Sequence, residues 1–239
     1  MSMDLQRLTS LLRQAIQRYG MIAENDAIAV GLSGGKDSLC LLMGLAALRR
    51  FNPVPFTLHA IHVDVGAGMK EEDIHRMSDF CAQLDVPFHH VKTDIYQIVF
   101  LERKEKNPCS LCAKMRKGAL NAKALGLGCS KIAYAHHKDD FIETLMMNIL
   151  LEGRCECFPP VTQLDKTGLQ VIRPMLLVEE RDVVGFTHRN ALPVVKNPCP
   201  ADGATRREDV KQFIRDSRAQ FPKIRESLFS AVTGLFEED

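Results

Sequence analysis

Residues 30–38, which read VGLSGGKDS, have the types and spacing of a phosphate-binding loop. Two adjacent glycines allow a tight backbone turn that presents successive N–H groups to an anion. The lysine adds a full positive charge, and the N-terminus of the helix that begins near Ser38 adds a partial one. The sequence therefore predicts that a phosphorylated ligand binds here. The candidate residues are Ser33, Gly34, Gly35, Lys36, Asp37 and Ser38.

Asp37 separates this loop from two familiar nucleotide-binding motifs. A Walker A loop carries serine or threonine directly after its lysine, whereas Lys36 is followed by an acid, and the loop does not have the G-x-G-x-x-G spacing either. An acid inside a phosphate loop repels the ligand unless a metal ion lies between them. Asp37 therefore predicts either a ligand of Mg²⁺ or a cap on its own helix.

Cys109 and Cys112 lie three positions apart in the segment KNPCSLCAK, at residues 106–114. Such a pair can belong to a zinc site, a redox couple, a disulfide or an iron–sulfur site. A redox pair is expected where a strand meets a helix in a thioredoxin-like fold, and the order of elements here does not match that fold. A zinc site needs four ligands, and Cys155 and Cys157 supply two more thiols, so a four-thiol zinc site is an open alternative.

The remaining cysteines divide into one candidate ligand and three packed side chains. Cys199 repeats the local chemistry of the first pair, because a proline precedes it in KNPCPADG and polar turn residues surround it. Cys40 and Cys81 occupy apolar helical positions, and Cys129 precedes a predicted strand. We expect these last three thiols to be buried and unreactive.

The segment AHHKDDFIET, at residues 135–144, follows a predicted strand and begins a helix. Ligand sites of parallel sheets lie at this end of the strands. One of Asp139 and Asp140 is therefore expected to bind a metal ion, while the other caps the helix. Because successive side chains of a strand alternate, only one of His136 and His137 is expected to face the site.

Predicted strands alternate with predicted helices along the first 175 residues. Apolar runs such as AIAVGLS, FTLHAIHVDV, PFHHVKT and KIAYAHH are typical of buried strands, and the stretches between them have helical spacing or length. This alternation predicts an α/β fold in which a parallel sheet is covered by helices on both faces. Asp64 ends the second strand, where it is either a nucleotide contact or a turn former.

The regular alternation of predicted strands and helices ends in the C-terminal part of the sequence. RCECFPPVTQLDKTGLQ, at residues 154–170, is expected to be a loop, VIRP a short extended piece, and two or three helices fill the rest. We therefore expect an N-terminal helix at residues 1–20, a phosphate-loop domain at 21–175 that carries the Cys-x-x-Cys insertion, and a small helical segment at 176–239 that supplies Cys199.

The composition predicts a protein of a reducing compartment. Its hydrophobic fraction of 46% and charged fraction of 26% are ordinary for a globular chain. Charges interrupt every long apolar stretch, so neither a signal peptide nor a membrane span is expected. Eight cysteines in such a chain favour metal-binding or catalytic thiols over a disulfide scaffold, and a cytoplasmic location follows as the expectation.

The net charge of +1 does not by itself indicate a nucleic-acid-binding protein. The charge is unevenly distributed, however, because residues 103–123 contain seven basic residues and one acid, which gives this window a charge of +6. The window is a candidate RNA contact, and a solvated helix face is the alternative. Its candidate contacts are Lys114, Arg116 and Lys117, and its other charged residues are Arg103, Lys104, Glu105, Lys106 and Lys123. A second basic cluster, diluted by acids, comprises Arg206, Arg207, Lys211, Arg215 and Arg218.

Three motifs together resemble the ATP-pyrophosphatase family, also called the PP-loop or N-type family. Residues 33–38 match its S-G-G-x-D-S signature, and residues 135–144 are similar to the G-H-H-x-D-D-x-x-x-T element of members that modify tRNA, with Ala135 in place of the usual glycine. IRP at residues 172–174 stands where those members carry an Arg-Pro. The cysteines at 109, 112 and 199 fall in the pattern of the tRNA 2-thiocytidine synthetase group.

The resemblance implies a Rossmann-like, adenine nucleotide alpha-hydrolase-like fold that binds ATP and Mg²⁺. The nucleotide contacts that it implies are Ser33, Gly34, Gly35, Lys36, Asp37, Ser38, Asp64 and His136. The catalytic residues that it implies are Lys36, Asp37, His136 and Asp140. Cys109, Cys112 and Cys199 are expected to hold a [4Fe-4S] cluster.

The implied activity is ATP-dependent thiolation of a tRNA pyrimidine, in which the C2 oxygen is adenylated and then replaced by sulfur. Cytidine is the expected substrate, because related thiolases of uridine carry extra zinc modules with paired Cys-x-x-Cys motifs that this sequence lacks. The implied partners are tRNA and a sulfur donor, either a cysteine desulfurase or sulfide, and a homodimer is a further expectation. Two other functions stay open: a nucleotide- or tRNA-binding protein with structural zinc, and sulfur transfer to a small molecule.

Overall fold

A computed structural model of the chain describes residues 3–103, 108–196, 198–199 and 206–236. The described strands are β1 (Asp26–Gly31), β2 (Phe56–Asp64), β3 (Phe88–Lys92), β4 (Lys131–Ala133), β5 (Val161–Gln163) and β6 (Gln170–Ile172). They form one six-stranded sheet with the order β3-β2-β1-β4-β6-β5. All neighbouring pairs among them are parallel except β5 and β6. The predicted α/β fold with a largely parallel sheet is confirmed.

The described α-helices are α1 (Leu5–Arg18), α2 (Lys36–Arg49), α3 (Glu71–Gln83), α4 (Pro108–Gly126), α5 (Lys138–Met147), α6 (Glu180–Arg189), α7 (Arg206–Ser217) and α8 (Ile224–Gly234). Shorter π-helical turns occupy Gln97–Glu102 and Asn148–Glu152, and a 3₁₀ turn occupies Pro174–Leu177. One face of the sheet packs against α1, α2, α3 and α6, while α4 covers the other face. Helices α5, α7 and α8 share two further apolar clusters at the side of the sheet.

Helix α1 shows how the apolar spacing of the sequence becomes packing. Leu8, Leu12 and Ile16 are buried on one stripe, as expected for an amphipathic helix. This stripe lies against α2 at Gly44, where an added Cβ atom would stand 2.6 Å from a methyl carbon of Leu12. A glycine at this position therefore allows the two helices to approach each other closely.

The sheet register brings three strand ends to one rim. β1 lies between β2 and β4, with Gly31 opposite Ile61 and Val30 opposite Ala133. All three strands run in the same direction, so the residues that follow them emerge at the same edge of the sheet. Ligand sites of open α/β sheets lie at this edge. Residues 32–38, 65–66 and 134–137 are thereby placed side by side.

Two details of the predicted elements are wrong. The loop predicted at residues 154–170 contains β5, which pairs antiparallel with β6 through a tight turn in which Gly168 has φ of 71°. Strand β5 is short and incompletely buried, so its residues lack the apolar run by which buried strands are identified. Strand β4 ends at Ala133, before His136 and His137, so strand alternation does not govern these two side chains.

Among the described residues, no helix is both long enough and apolar enough to cross a membrane. The division of the chain at residues 20 and 175 stays a prediction. Helices α6, α7 and α8 occupy the described part of the C-terminal segment.

Candidate active site

The phosphate loop, residues 33–38, is held in shape by its own hydrogen bonds. Gly34 has φ of +84°, a region that favours glycine. The Ser33 backbone N–H donates to the Ser38 hydroxyl at 3.2 Å, and that hydroxyl donates to the Gly35 carbonyl at 3.0 Å. The Gly35 N–H donates to the Ser33 hydroxyl at 3.2 Å. The loop therefore keeps its turn without help from a ligand and leads directly into α2.

Lys36 is held by two carboxylates. Its Nζ lies 3.0 Å from both oxygens of Asp37 and 3.2 Å from Oε1 of Glu180, at the start of α6. Burial alone would lower the pKa of Lys36, but the two carboxylates outweigh it and raise the pKa. Lys36 is therefore cationic. To bind a phosphate, its ammonium group must give up its contacts with these two carboxylates.

The two acids at the start of α5 have different partners. Asp139 is buried and accepts hydrogen bonds from the Glu180 backbone N–H, at 2.8 Å, and from Arg225. Asp140 accepts from the His137 backbone N–H at 2.9 Å, which caps α5, and from Arg207 at 2.7 Å. Asp139 therefore anchors the C-terminal helices. Asp140 both caps the helix and faces the cavity described below.

The two histidines occupy different places: His136 lines the cavity described below, whereas His137 is buried and is not part of that wall. His137 is buried between acids, with its Nε2 at 3.7 Å from Asp37 and its Nδ1 at 3.3 Å from Asp140. His136 packs its ring against Phe158 at a centroid distance of 4.7 Å. Burial lowers the pKa of His136 to about 4, so its ring is neutral at pH 7. Since both residues follow the end of β4, strand alternation does not determine which of them faces the cavity.

A first cavity of about 510 Å³ opens beside the loop. Its wall includes loop and α5 residues (Ser33, Asp37, Ser38, His136 and Asp140), the apolar side chains Ile61, Val63 and Leu120, and the cations Arg116, Lys117 and Arg173. An apolar wall beside a phosphate loop with cations suits a nucleotide.

The predicted RNA contacts divide between this cavity and the surface. All three are exposed residues of α4, and Arg116 and Lys117 also line the cavity, whereas Lys114 does not. Their role as RNA contacts stays a prediction, and Lys104, Glu105 and Lys106 lie outside the described residues. Asp64 does not line the first cavity. Its oxygens accept hydrogen bonds from the Gly66 N–H at 2.9 Å and from His90 at 3.4 Å, and its predicted contact with the nucleotide stays a prediction.

Cys109 and Cys112 lie in the first turns of α4, and Cys199 is near enough for its charge to act on Cys112. Cys109 is exposed, and the other two are partly buried. Burial raises the pKa of Cys112, Arg116 opposes that effect, and the charges of Cys199 and Cys109 add to it. Within the described ranges, no three His, Cys, Asp or Glu side chains are spaced to hold a single metal ion.

The two loop cysteines lie in a different environment. Cys155 is exposed, while the Cys157 thiol packs beside Phe158 and donates to the Phe141 carbonyl at 3.5 Å. Burial raises the pKa of Cys157 to about 12, so it is a neutral thiol at pH 7. The Cys157 thiol thus already has apolar packing and a hydrogen-bond partner.

Sequence reasoning missed the ion pairs that join the loop to the C-terminal helices. Beyond Lys36 and Glu180, the pairs are Glu180–Lys211 at 3.0 Å, Lys211–Glu143 at 3.8 Å, Glu143–Arg207 at 3.4 Å and Arg207–Asp140 at 2.7 Å. The second basic cluster of the sequence was the available signal, since it contains Arg207 and Lys211. The partners of these two cations lie in α5 and α6, far from them in sequence, so sequence position does not reveal the pairs.

In the sequence, Arg173 stands out only as part of the Arg-Pro element. Its guanidinium lies 4.8 Å from the centre of the Phe158 ring and donates to the Pro159 carbonyl at 2.6 Å and to Thr162 at 3.0 Å. Burial lowers its pKa to about 10, which leaves it charged at pH 7. The side chain is therefore a fixed cation in the wall of the first cavity.

Comparison with known proteins gives a family and a fold. A family model described as a PP-loop domain matches residues 5–217. A protein named tRNA-cytidine(32) 2-sulfurtransferase, from Pelobacter propionicus, is 37% identical over 232 residues, which are 96% of this chain and 86% of that protein. Its namesake from Geobacter sulfurreducens is 34% identical over 229 residues, 95% of this chain and 88% of that protein.

Two solved structures share the fold. The U34-tRNA thiolase NcsA from Methanococcus maripaludis, solved with its [4Fe-4S] cluster, has a TM-score of 0.77 at 24% identity and covers 98% of this chain and 79% of its own. The NH3-dependent NAD synthetase from Campylobacter jejuni has a TM-score of 0.54 at 15% identity, with 97% and 93% covered. These likenesses concern the fold alone.

Proposed function

The chain belongs to the PP-loop domain family, and from that membership we infer that it is an ATP-dependent tRNA sulfurtransferase. Relatives that are 34–37% identical over most of the chain carry the name tRNA-cytidine(32) 2-sulfurtransferase. We propose that this chain likewise acts on cytidine in tRNA and replaces the C2 oxygen with sulfur.

The reaction needs two displacements, because oxygen bound to the ring is a poor leaving group. The C2 oxygen of the base first attacks the α-phosphorus of ATP, and pyrophosphate leaves. A sulfide ion then attacks C2, its proton passes to solvent, and AMP leaves with the oxygen of the base. The products are the 2-thio base, AMP and pyrophosphate. The protein must therefore hold a pyrophosphate, an adenosine, a base and a sulfur source together.

The phosphate loop and the first cavity are suited to the first displacement. The loop's N–H groups and Lys36 offset the charge of the leaving pyrophosphate. Neutral His136 and the apolar wall give the nucleoside a surface that adds no further charge. The carboxylates of Asp37 and Asp140 flank His137 and are the groups that would hold Mg²⁺, because that ion prefers oxygen ligands.

The three candidate thiols are suited to the second displacement. Cys109, Cys112 and Cys199 would hold a [4Fe-4S] cluster, which, when bound, leaves one iron without a protein ligand for the incoming sulfur. Arg116 lies close enough to oppose the rise in the pKa of Cys112, and positive charge favours the thiolate form that binds iron.

One hydrogen bond carries the proposal, because it joins the two halves of the site. The Val195 backbone N–H donates to the Gly34 carbonyl at 2.9 Å. Gly34 belongs to the phosphate loop, and Val195 lies four residues before Cys199. The segment that brings the third thiol is thus fastened to the loop that binds phosphate, which supports one site for adenylation and sulfur transfer.

The proposal also covers the sulfur donor, the oligomeric state and the location of the protein. We propose that the sulfur comes from a cysteine desulfurase or from free sulfide, that the protein works as a homodimer, and that it acts in the cytoplasm, where thiols stay reduced.

Nucleoside analysis of tRNA tests the proposed function. Total tRNA from cells that lack the gene should contain no 2-thiocytidine by mass spectrometry, and the wild-type gene should restore it. A gene carrying Lys36→Ala should not restore it, whereas Lys70→Ala, an exposed lysine before α3, should. An unchanged level of 2-thiocytidine in the cells without the gene would overturn the proposal.

A further inference from the structure

Arg173 is a buried cation without a carboxylate partner. It directly follows β6 and is only 7% exposed. Among the described residues, no aspartate or glutamate oxygen lies within 4.0 Å of its guanidinium nitrogens. Lys131 shows the contrast, because this other buried cation has its Nζ 3.3 Å from a carboxylate oxygen of Asp26. An unpaired charge is costly to bury, so a cation in this state favours an anionic ligand.

The neighbours of Arg173 do not supply the missing negative charge. Burial lowers the pKa of Arg173, and Tyr134 and Cys157 act against that effect. Both of these groups are neutral at pH 7, because burial raises the pKa of each above its usual value. The acids in the wall of the first cavity are Asp37 and Asp140, and each already pairs with another cation.

The guanidinium is fixed in place and keeps part of its edge unused. Nη1 donates to the Pro159 carbonyl and the Thr162 hydroxyl, and the group lies over the Phe158 ring. Nε is enclosed, but Nη2 is not, and Nη2 donates to no atom of the described residues. Since Arg173 lines the first cavity, Nη2 is the nitrogen that a ligand there can reach. A guanidinium that is held beforehand loses little freedom when it binds.

The position of Arg173 along the rim differs from that of the phosphate loop. The loop follows β1 and Arg173 follows β6, with β4 between these two strands. Two strand spacings amount to roughly 10 Å. Ser33 and Ser38 of the loop line the same cavity as Arg173. The loop and the guanidinium therefore stand at different points of one cavity, which suits substrates that bring more than one phosphate group.

Resting on the proposed function, we propose that Arg173 binds, through Nη2, a substrate phosphate group that the loop does not hold. Two substrates could supply it. One source is the phosphate of the adenylyl group, which stays behind when pyrophosphate leaves. The other is a backbone phosphate beside the modified nucleotide of the RNA. Both are anions, and a guanidinium makes charge-assisted hydrogen bonds with either.

Binding of AMP and of adenosine tests the first source. Both ligands are titrated by calorimetry into wild-type protein and into Arg173→Gln, and the ratio of the two dissociation constants measures what the phosphate contributes. In Arg173→Gln the preference for AMP should fall by roughly tenfold or more, while the affinity for adenosine stays the same. Arg154→Gln is the matched control, since Arg154 is an exposed arginine that does not line the first cavity.

Binding of RNA without nucleotide tests the second source. A stem-loop RNA with cytidine at position 32 is compared with the same RNA that carries uncharged methylphosphonate linkages on both sides of this nucleotide. If Arg173 holds an RNA phosphate, the uncharged linkages should weaken binding to wild-type protein roughly tenfold more than binding to Arg173→Gln.

The variant Arg173→Met separates phosphate binding from a role in the fold. It replaces an unpaired buried charge by an apolar side chain, so its thermal transition should lie at or above that of wild type. Its preference for AMP, or for the charged RNA linkages, should fall as in Arg173→Gln. Failure of both variants to fold would show that Arg173 serves the fold itself and would overturn the inference.

The outcomes separate the two sources from each other and from the proposed function. A lower preference for AMP identifies the adenylyl phosphate, and a change in the RNA comparison alone identifies the RNA phosphate. Wild-type values in both comparisons, with folded Arg173→Gln, would overturn the inference. Neither comparison needs turnover, so failure of the proposed function is read separately, from the 2-thiocytidine content of tRNA.

Discussion

The phosphate loop and the thiol site lie at the same rim of the sheet, but they are built in opposite ways. The loop is local, since six consecutive residues, 33–38, which follow β1 and include the first residues of α2, fix its shape by hydrogen bonds among Ser33, Gly35 and Ser38. The thiol site joins the start of α4 to a segment far along the chain that carries Cys199. A local structure survives changes elsewhere, whereas an assembled site fails when any part is removed.

This difference predicts that adenylation can occur without sulfur transfer, but that sulfur transfer cannot occur without adenylation. Loss of the loop should stop adenylation, and sulfur transfer with it, because the base is never activated. Loss of a thiol should stop sulfur transfer and leave adenylation in place. The hydrogen bond from Val195 to Gly34 positions the thiol segment on the loop. The loop itself is held by its own internal hydrogen bonds and does not depend on the thiol segment for its shape.

The largest expected effect is at the loop. Lys36→Ala should lower AMP formation by roughly 10²–10³-fold, because the charge that offsets the leaving pyrophosphate is removed. Gly35→Val should have a similar effect, since a Cβ atom at Gly35 meets the Ser33 hydroxyl at an ordinary 3.4 Å but fills space that a phosphate needs. Lys70→Ala is the control. Normal AMP formation by either loop variant, with an unchanged thermal transition, would contradict the assignment of the loop.

The next effect concerns the thiols. Alanine at Cys109, Cys112 or Cys199 should each abolish the brown colour and sulfur transfer, because the ligands of a cluster act as a unit. AMP formation should stay within roughly threefold of wild type, since no adenylation step uses these thiols.

Cys155→Ala supplies the matched control, because Cys155 is also an exposed cysteine. It should keep both colour and sulfur transfer. Iron and acid-labile sulfide are measured on protein that is purified without air. One equivalent of zinc with no labile sulfide, together with strong effects at Cys155 or Cys157, would favour the zinc alternative instead.

A smaller effect concerns the ion pairs that link the loop to α7. Burial raises the pKa of Glu143 to about 7 despite Lys211 and Arg207. The folded protein therefore holds a proton that the unfolded chain releases near pH 4.5, and the stability from this group is lost as pH rises from about 4.5 to about 7. Over that range we expect a loss of roughly 2–4 kcal/mol.

Urea unfolding of wild type and Glu143→Gln at pH 5 and pH 8 measures this contribution. The variant keeps the neutral form, so it should be about as stable as wild type at pH 5 and relatively more stable at pH 8. Equal pH dependence in both proteins would show that Glu143 does not hold the proton.

The smallest effect concerns RNA binding at the rim. Replacement of Lys114, Arg116 and Lys117 by glutamine should weaken tRNA binding without ATP. It should also flatten the salt dependence by roughly 0.7–0.9 in slope for each phosphate that a cation no longer neutralises. Equivalent replacement of three exposed cations elsewhere, Arg13, Arg50 and Lys166, should leave the slope unchanged. Identical slopes in both variants would mean that the α4 cations are only a solvated helix face.

The same contrast explains how much of the molecule the sequence could predict. The loop was predictable because its glycines, serines and lysine are consecutive, and the fold was predictable because strands and helices alternate regularly. The partners of Lys36 and Asp140 were not, since Glu180 and Arg207 reach them through tertiary packing that leaves no spacing to detect. The physical reason for expecting only one of His136 and His137 in the site was wrong, because β4 ends at Ala133 and strand alternation does not extend to these two residues.

The most direct test of the proposed chemistry follows the oxygen that leaves the base. A stem-loop RNA with ¹⁸O at C2 of cytidine 32 is incubated with ATP, sulfide and protein prepared without air, and the AMP is analysed by mass spectrometry. We predict one ¹⁸O atom in each AMP that accompanies a 2-thiocytidine, because the base oxygen attacks the α-phosphorus. AMP without the label, formed together with 2-thiocytidine, would contradict activation of the base by adenylation.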